Sequence, residues 1–558
     1  MIARPWFWGA WYNSYMVKGG VPQTIDLTQA HERENVLNLL QAIRDLPADD
    51  NDIMPLLRRY PSADGTYAKS QLLDAYQRLV QGGALKRDKG LERRLRGRPV
   101  RTISGVAPVA VLTEPYPCPG TCLFCPDQRE APKSYLDGEP GVLRALQNDY
   151  DPYAQTHVRI QSLQAIGHAT DKVELLILGG TWSAYPLEYR EWFLRRCFDA
   201  MNESESATLV EALARNETAA HRNVGLVVET RPDWITPAEV WALRHQAVTK
   251  VQIGAQSFDD TILALNRRGH TVADVQHAVR MLRLGGFKIV LHWMPNLYGA
   301  TPESDLADFT RMWDDPGLRP DEIKIYPTAL VEGTDLYTLW EQGQYAPYDE
   351  DTLIDLLVQC KTRVPPYCRI NRLMRDIPAQ YIVAGTTKSN LRQIVQTQMQ
   401  ERGVVCQCIR CREVRGKELA AEGDTALETL SLEVLSYATD ATQEHFLQYL
   451  TPAGHLAAFL RLSLPFAPRD ELPIPEIREA AMVRELHVYG PAQALGQRGL
   501  AVQHRGLGTR LLDAAAALAR EAGFRQLAVI AAAGTRPYYR DRGFTAGELY
   551  LSRMLSTD

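Results

Sequence analysis

At 558 residues, with 45% hydrophobic and 23% charged side chains, the chain is longer than one hydrophobic core ordinarily serves and too apolar to be disordered, so two or three folded domains are expected. The formal net charge of -5 excludes nucleic-acid binding through overall basicity and leaves it only to a local basic patch. No apolar run reaches the roughly 18 residues of a bilayer span, and the aromatic opening MIARPWFWGAWYNSYMVKGG lacks the apolar stretch and cleavage site of an export signal, so residues 1–24 read as a tail.

Residues 25–101 begin with helical periodicity in VLNLLQAIRDL and KSQLLDAYQRLVQ, which predicts a small helical domain. It runs into LKRDKGLERRLRGRPVRT, where Lys86, Arg87, Lys89, Arg93, Arg94, Arg96, Arg98 and Arg101 are almost uninterrupted; taken alone, such a run is most often a solvated linker. From Val106 to about Leu330 one theme repeats: a short aliphatic run, a turn, then an amphipathic helix. The runs VAPVAVLTE, KVELLILGGT, NVGLVVETRPD, KVQIGAQS, KIVLHWMPN and EIKIYPTAL are continuously apolar, as parallel strands buried on both faces are. About six such units predict an α/β fold, a partial (β/α)6 barrel over residues 102–400, with its active face at the carboxyl ends of the strands. A cysteine-rich linker over 401–425 follows. Alternating strands, a late helix GTRLLDAAAALAREAG and a final strand QLAVIAAA then mark an α+β domain over 426–558.

Nine cysteines without an export signal point to a reducing, cytoplasmic setting in which clustered thiols bind metals or do chemistry. In EPYPCPGTCLFCPDQ, Cys118, Cys122 and Cys125 are spaced to wrap one metal centre. A structural zinc needs a fourth ligand that is not nearby, whereas three thiolates on a four-iron cluster leave one iron open. This spacing, just after the first strand of a partial barrel, resembles the radical S-adenosylmethionine superfamily. The resemblance implies a [4Fe-4S] cluster whose open iron chelates the methionine part of S-adenosylmethionine, and whose electron releases a 5′-deoxyadenosyl radical. Gly179 and Gly180 resemble the turn that meets the methionine amino group, and Glu229, Arg231 and Gln256 are candidates for contacts with the nucleoside.

In the C-terminal domain, AVQHRGLGTRLL places Gln503, Gly506 and Gly508 at a strand-to-helix turn, where backbone NH groups and the helix dipole favour a pyrophosphate. With the strand VRELHVYG before it and YYRDRGF after it, the pattern resembles the GNAT acetyltransferase domain. That implies an acetyl-CoA site in which Glu485, Leu486, His487 and Val488 pair with the pantetheine arm and Tyr538 or Tyr539 stands near the thioester sulfur.

The two halves together, with PVRTISGVAPVAVLT, GHATDKVELLILGGTW, RGHTVADV, RINRLMRDIP, GTTKSNLRQ, RELHVYG, QHRGLGTRLL and GTRPYYRDRGF, resemble the family of the Elongator catalytic subunit, which modifies tRNA. The eukaryotic members space the first two cluster cysteines more widely, so the spacing here resembles the prokaryotic form. The family's reaction is implied: acetyl-CoA supplies a two-carbon unit, the deoxyadenosyl radical abstracts hydrogen from its methyl group, the unit adds to C5 of the wobble uridine, and thioester hydrolysis leaves a carboxymethyl group. By position, Cys118, Cys122 and Cys125 match the cluster ligands. Lys172, Glu485 to Val488, Leu507 to Thr509 and Tyr539 match the acetyl-CoA site. The basic stretch is then expected to run along the phosphates of an anticodon stem through Lys86, Arg87, Arg93, Arg94, Arg96 and Arg98, with Tyr116 or Trp182 stacking on an unpaired base. Cys406, Cys408 and Cys411 are expected to hold a structural zinc, with Cys368 a candidate fourth ligand. No membrane is expected, while a homodimer or accessory subunits are compatible with the family. The rival reading is a protein lysine acetyltransferase with a structural iron-sulfur barrel; a non-catalytic tRNA-binding scaffold is a third.

Overall fold

The computed structural model describes residues 24–47, 52–62, 65–95, 105–414, 429–466, 469–470, 472–489 and 506–555. Almost all of the expected tail, together with Arg96, Arg98, Arg101 and Gln503, lies outside the described residues. Among them no helix is long and apolar enough to cross a membrane.

Four helices, α1 (Ala30–Arg44), α2 (Met54–Arg59), α3 (Lys69–Gln81) and α4 (Lys89–Leu95), close on their own core of Leu39, Leu40, Ile43, Leu72, Tyr76 and Leu91. Arg94 from α4 reaches the end of α1. Its Nη1 donates to the carbonyls of Ile43 (2.8 Å) and Arg44 (3.1 Å), and its Nη2 to those of Leu46 (2.8 Å) and Pro47 (2.6 Å). The Ile43 and Arg44 carbonyls are ones that a helix end leaves unpaired, at the negative pole of its dipole, so the guanidinium is well matched to them.

The parallel sheet comprises β1 (Ala107–Leu112), β2 (Lys172–Leu178), β3 (Arg222–Thr230), β4 (Lys250–Gln256), β5 (Lys288–Trp293) and β6 (Glu322–Ile325). The last expected run breaks after Ile325, and its tail forms β7 (Leu330–Val331). The sheet does not stop at six. A seventh parallel strand, β8 (Arg369–Arg372), pairs with β6 and completes the order β1-β2-β3-β4-β5-β6-β8. Its four residues, RINR, form no apolar run, because the side of the strand away from the helices meets charge rather than hydrocarbon. β7 pairs with β9 (Ile382–Ala384) in a separate ribbon. Alternation sorts the side chains: on β2, Val173, Leu175 and Ile177 join the helix-facing core, and Lys172 and Glu174 turn into the barrel.

The second sheet is built from β10 (Ser431–Ala438), β11 (Thr442–Leu450), β12 (Leu456–Pro465), β13 (Ala481–Val488), β14 (Gln526–Val529), β15 (Thr545–Ala546) and β16 (Leu551–Met554) in the order β10-β11-β12-β13-β14-β16-β15. Only β13 and β14 run parallel, and they pair over just three residues, Ala481 to Val483, before parting into a wedge. The register with β12 steps from Leu462↔Val483 to Arg461↔Glu485, so Arg484 is a bulge residue, and both Arg484 and Glu485 turn to one face. One face of this sheet packs on the helix Leu507–Glu521. The other covers the barrel at the amino ends of its strands. There Arg484 chelates Asp321 at 2.6 and 2.7 Å, Arg461 donates to Glu485 at 2.9 Å, Lys288 bridges Glu485 and Glu322, and Tyr550 donates to the Gly285 carbonyl at 2.5 Å.

Candidate active site

At the opposite, carboxyl end, the chain leaves β1 and folds the cysteine loop over the rim, pinned by Leu123 N donating to the Asn266 carbonyl (3.3 Å) and Leu336 N to the Leu123 carbonyl (3.0 Å). Cys122 is buried, and Cys118 and Cys125 are half-buried. Arg268 donates from Nη1 to Cys122 Sγ at 3.0 Å and from Nη2 to the Gly254 carbonyl at 2.6 Å. A hydrogen bond with Cys125, and the guanidiniums of Arg268 and Arg231, bring the Cys122 thiol down to about 5 against the effect of its burial. A thiolate held by a cation is the ligand form an iron centre needs. Among the described residues the three sulfurs do not gather into a single-ion group, whereas those of Cys406, Cys408 and Cys411 lie within 4.8 Å of one another. The tight set fits a single zinc at about 2.3 Å per sulfur.

The other expected residues converge on the same rim. Gly179 and Gly180 follow β2 with φ of 132° and 103°, which side chains resist, and share a small cavity with Tyr116, Cys118, Lys133 and Thr181. Thr181 Oγ1 stands 3.9 Å from Cys118 Sγ. Glu229 accepts from Tyr135 Oη (3.0 Å) and Lys324 Nζ (3.3 Å). Arg231 grips Asp233 (2.9 and 3.0 Å) and the Arg268 carbonyl (2.8 Å) while its Nη1, packed against Gly120, has no hydrogen-bond partner among the described residues. Gln256, at φ 72°, likewise keeps a buried Oε1 without one. Two orphaned polar atoms beside the cysteine loop and the glycine turn are what a polar ligand such as S-adenosylmethionine would satisfy. Reading the sequence missed Arg268, Lys324 and Tyr135. Arg268 is the first residue of the quoted RGHTVADV, but its partner Cys122 is 146 residues away.

The expected acyl site lies below the barrel floor. After Val483, β13 carries Arg484 to Val488 away from β14, with which it pairs only over Ala481 to Val483. Leu486 and Tyr538 crowd Gly508 from one side, where a side chain would collide with the Tyr538 hydroxyl. Leu507 begins the helix, Thr509 Oγ1 accepts from Arg542 Nε at 3.1 Å, and Gly506 takes φ 84° as its N-cap. Burial pushes the Tyr538 and Tyr539 phenols up, so both keep their protons. Lys172 opens β2 on this floor, its pKa lowered by burial and further by Arg222. Gly534, from the second sheet, packs on Arg222 and Asn223, the first residues of β3.

Three expectations change. Trp182 is 2% exposed and donates from Nε1 to Gln246 Oε1 at 3.1 Å, so it belongs to the core and cannot stack on a base; Tyr116, 42% exposed, can. Arg94 is committed to the end of α1, as described, and is withdrawn from the phosphate-facing set. Lys86, Arg87 and Arg93 are exposed, Arg87 pairing with Glu92 at 2.9 Å. Cys368 offers its carbonyl to Ile409 N (2.9 Å), but its sulfur is outside the three-thiol group.

Residues 117–310 match the model of the Radical SAM superfamily and residues 320–401 that of the Radical_SAM C-terminal domain, so the half-barrel is a radical SAM barrel, and that class implies a [4Fe-4S] cluster and S-adenosylmethionine. The chain is 43% identical over 457 residues to a tRNA uridine(34) acetyltransferase of Dehalococcoides mccartyi, covering 82% of this chain and 99% of the relative. It is 34% identical over 482 residues to human Elongator complex protein 3, covering 84% and 87%. A solved structure of archaeal Methanocaldococcus infernus Elp3, lacking residues 1–46 of its N-terminus, superposes with a TM-score of 0.70 at 37% identity, covering 81% of this chain and all of that one. The chain belongs to the family of the tRNA uridine(34) acetyltransferases and Elongator complex protein 3.

Proposed function

We propose that this enzyme modifies the wobble uridine of tRNA by adding a two-carbon unit from acetyl-CoA to C5 of the base. The observation that carries the reading is that a cysteine-loop rim and a GNAT-like wedge are fixed to the two ends of one barrel, in a chain alike over more than four-fifths of its length to relatives named for uridine 34. When bound, the [4Fe-4S] cluster held by Cys118, Cys122 and Cys125 supplies the electron that splits S-adenosylmethionine and provides a hydrogen-abstracting radical. Arg268 keeps Cys122 ionised, Gly179 and Gly180 let the methionine end approach, and Glu229, Arg231 and Gln256 meet the nucleoside. Acetyl-CoA lies along Glu485 to Val488, its pyrophosphate over Gly506 to Thr509 and Gln503, with Lys172 at the barrel floor and Tyr538 and Tyr539 donating toward the thioester. C5 of uridine is a poor partner for an acyl electrophile, which is why a radical route is needed. The tRNA backbone runs past Lys86, Arg87, Arg93, Arg96 and Arg98, and Tyr116 stacks on an unpaired base. Cys406, Cys408 and Cys411 hold a zinc that ties β8 to the second sheet, because Ile409 N binds the Cys368 carbonyl while Val414 N binds that of Leu456.

Anaerobic incubation of the reconstituted enzyme with tRNA, S-adenosylmethionine and acetyl-CoA, followed by mass spectrometry of the nucleosides, tests the function. A carboxymethyl-type mass gain on uridine, dependent on both small molecules, is expected. Acetylated lysine without cleavage of S-adenosylmethionine would instead favour the lysine acetyltransferase reading. Charge reversal at Lys86 and Arg93 should weaken tRNA binding and flatten its salt dependence by about one counterion per charge, and unchanged affinity at low salt would remove the basic strip from the interface.

A further inference from the structure

The barrel-facing side of β13 carries an imidazole to which the reading above gives no chemical role. His487 stands opposite Phe459 in the β12–β13 register, with ring centroids 5.7 Å apart, and 4.4 Å from the ring of Tyr489. Its Nε2 is buried and has no hydrogen-bond partner among the described residues. A buried ring nitrogen left unpaired costs about 1–3 kcal/mol, and in native proteins such a group usually answers to a water or a ligand. The residue lies on the stretch that has parted from β14, and its ring packs with Phe459 and Tyr489, which join the core shared with the barrel.

The other polar groups of the expected acyl site are unsuited to accept a proton. Glu485 is ionised, its pKa lowered by Lys288 and Arg461 despite burial, and both lone-pair faces are engaged by those cations. Tyr538 and Tyr539 are held protonated by burial, and Tyr539 feels the Glu485 carboxylate besides. Lys172 is a donor while charged. Burial brings His487 down to about 4; Lys288 and Arg369 act in the same direction, Glu485 and Glu174 against it, and the ring is therefore neutral near pH 7. With the phenols held protonated and the carboxylate engaged by cations, a neutral imidazole with an unpartnered nitrogen is, among the described groups here, the one suited to take a proton from water.

We propose that His487 is the general base for hydrolysis of the thioester that carries the two-carbon unit. A water donates its proton to Nε2 as its oxygen bonds to the thioester carbonyl carbon. Collapse of the tetrahedral adduct breaks the C–S bond, and the departing sulfur takes a proton from the imidazolium, directly or through the Tyr539 hydroxyl. Thioester and water give a carboxylic acid and the thiol of coenzyme A, the acid losing its proton to solvent, with no oxidant or reductant required. The proposal rests on the acetyl-CoA site of the preceding section.

The full-length enzyme with H487Q and H487A is compared with wild type in tRNA-stimulated thiol release from acetyl-CoA, and in calorimetric affinity for a non-hydrolysable thioether analogue of acetyl-CoA. Thiol release should fall about 100-fold or more, while thioether affinity stays within threefold and the melting temperature is kept. Wild-type release should rise with pH and level off above about 5, an inflection H487Q lacks, and added imidazole should restore part of the rate to H487A. Release within threefold of wild type, or a loss matched by weaker thioether binding, overturns the assignment. A wild-type enzyme that does not bind the thioether overturns the acetyl-CoA site itself. If H487A does not fold, H487Q decides alone.

Discussion

Arg268 joins two functions in one side chain: one NH reaches a cluster ligand and another reaches the carbonyl of Gly254 on β4. An N–H donated to a ligating sulfur stabilises the more negative, reduced cluster, so removing it makes reduction harder. Arg268→Met should therefore shift the midpoint potential of the reconstituted cluster negative by about 60 mV or more, a tenfold change for one electron, as read by redox titration of the electron-paramagnetic-resonance signal. A potential unchanged by the substitution would show that the bond is absent in the loaded enzyme. The cysteine spacing was legible because the ligands are neighbours in sequence, and sequence can express local geometry. Arg268 was not, because its role exists only once β4 and the cysteine loop meet. Trp182 was misplaced for a related reason: an aromatic after a strand looks alike whether it faces the rim or turns inward, and here Gln246 receives its NH inside.

Strands and turns carry two consequences of their own. Where β13 and β14 diverge, the space between them is kept by Gly508, and Gly508→Leu would fill it from the Tyr538 side. Affinity for acetyl-CoA should fall at least about tenfold, roughly 1.4 kcal/mol, in a variant that crowding of Tyr538 destabilises by about 1–3 kcal/mol; retained affinity would place the cofactor elsewhere. On the rim, the turn after β5 leans on Asp305, which accepts from Asn296 N at 2.7 Å and Tyr348 Oη at 2.8 Å. Burial pushes its carboxyl up to about 7, and that of Asp308 to about 6. Since an unfolded aspartate titrates near 3.9, folding takes up protons between these values, and stability falls as pH rises through that window and levels above about 7. Asp305→Asn should reduce the drop in melting temperature between pH 5 and pH 8 without abolishing it, since Asp308 remains; an equal drop would acquit Asp305. Apolar runs exposed six parallel strands to sequence reading. β8 escaped it because Asn371 donates to Glu322 inside the barrel, and a strand facing charge carries no hydrophobic signature. The bulge at Arg484 escaped for want of any local mark, since VRELHV alternates acceptably in either register.

At the scale of the molecule, the two sheets are locked by charge rather than by hydrocarbon alone. Arg484 is fully buried between Asp321, on the segment entering β6, and Glu444 on β11, and Arg283 and Arg461 complete the group. These arginines outweigh burial and hold the Asp321 carboxyl well below the usual carboxylate range. A depressed pKa stabilises the fold above the unfolded value and is lost only as pH falls below about 4, so mild acidification to pH 5 leaves this lock intact. Removing Arg484 is different in kind, because Asp321 and Glu444 then lose their closest cation and keep only the longer contacts of Arg283 and Arg461. Arg484→Met should cost about 3–5 kcal/mol, and calorimetry against wild type should show the transition of the second sheet moving to lower temperature as it loosens from the barrel. Replacing Arg484, Arg283, Asp321 and Glu444 together by apolar residues of similar size should recover most of that loss, since Arg461 keeps Glu485 and no bare charge is left behind. If the single and quadruple variants melt alike, hydrophobic packing of residues such as Met482, Phe459 and Tyr550 against the barrel is what joins the two halves, and the ion group serves only to fix their register.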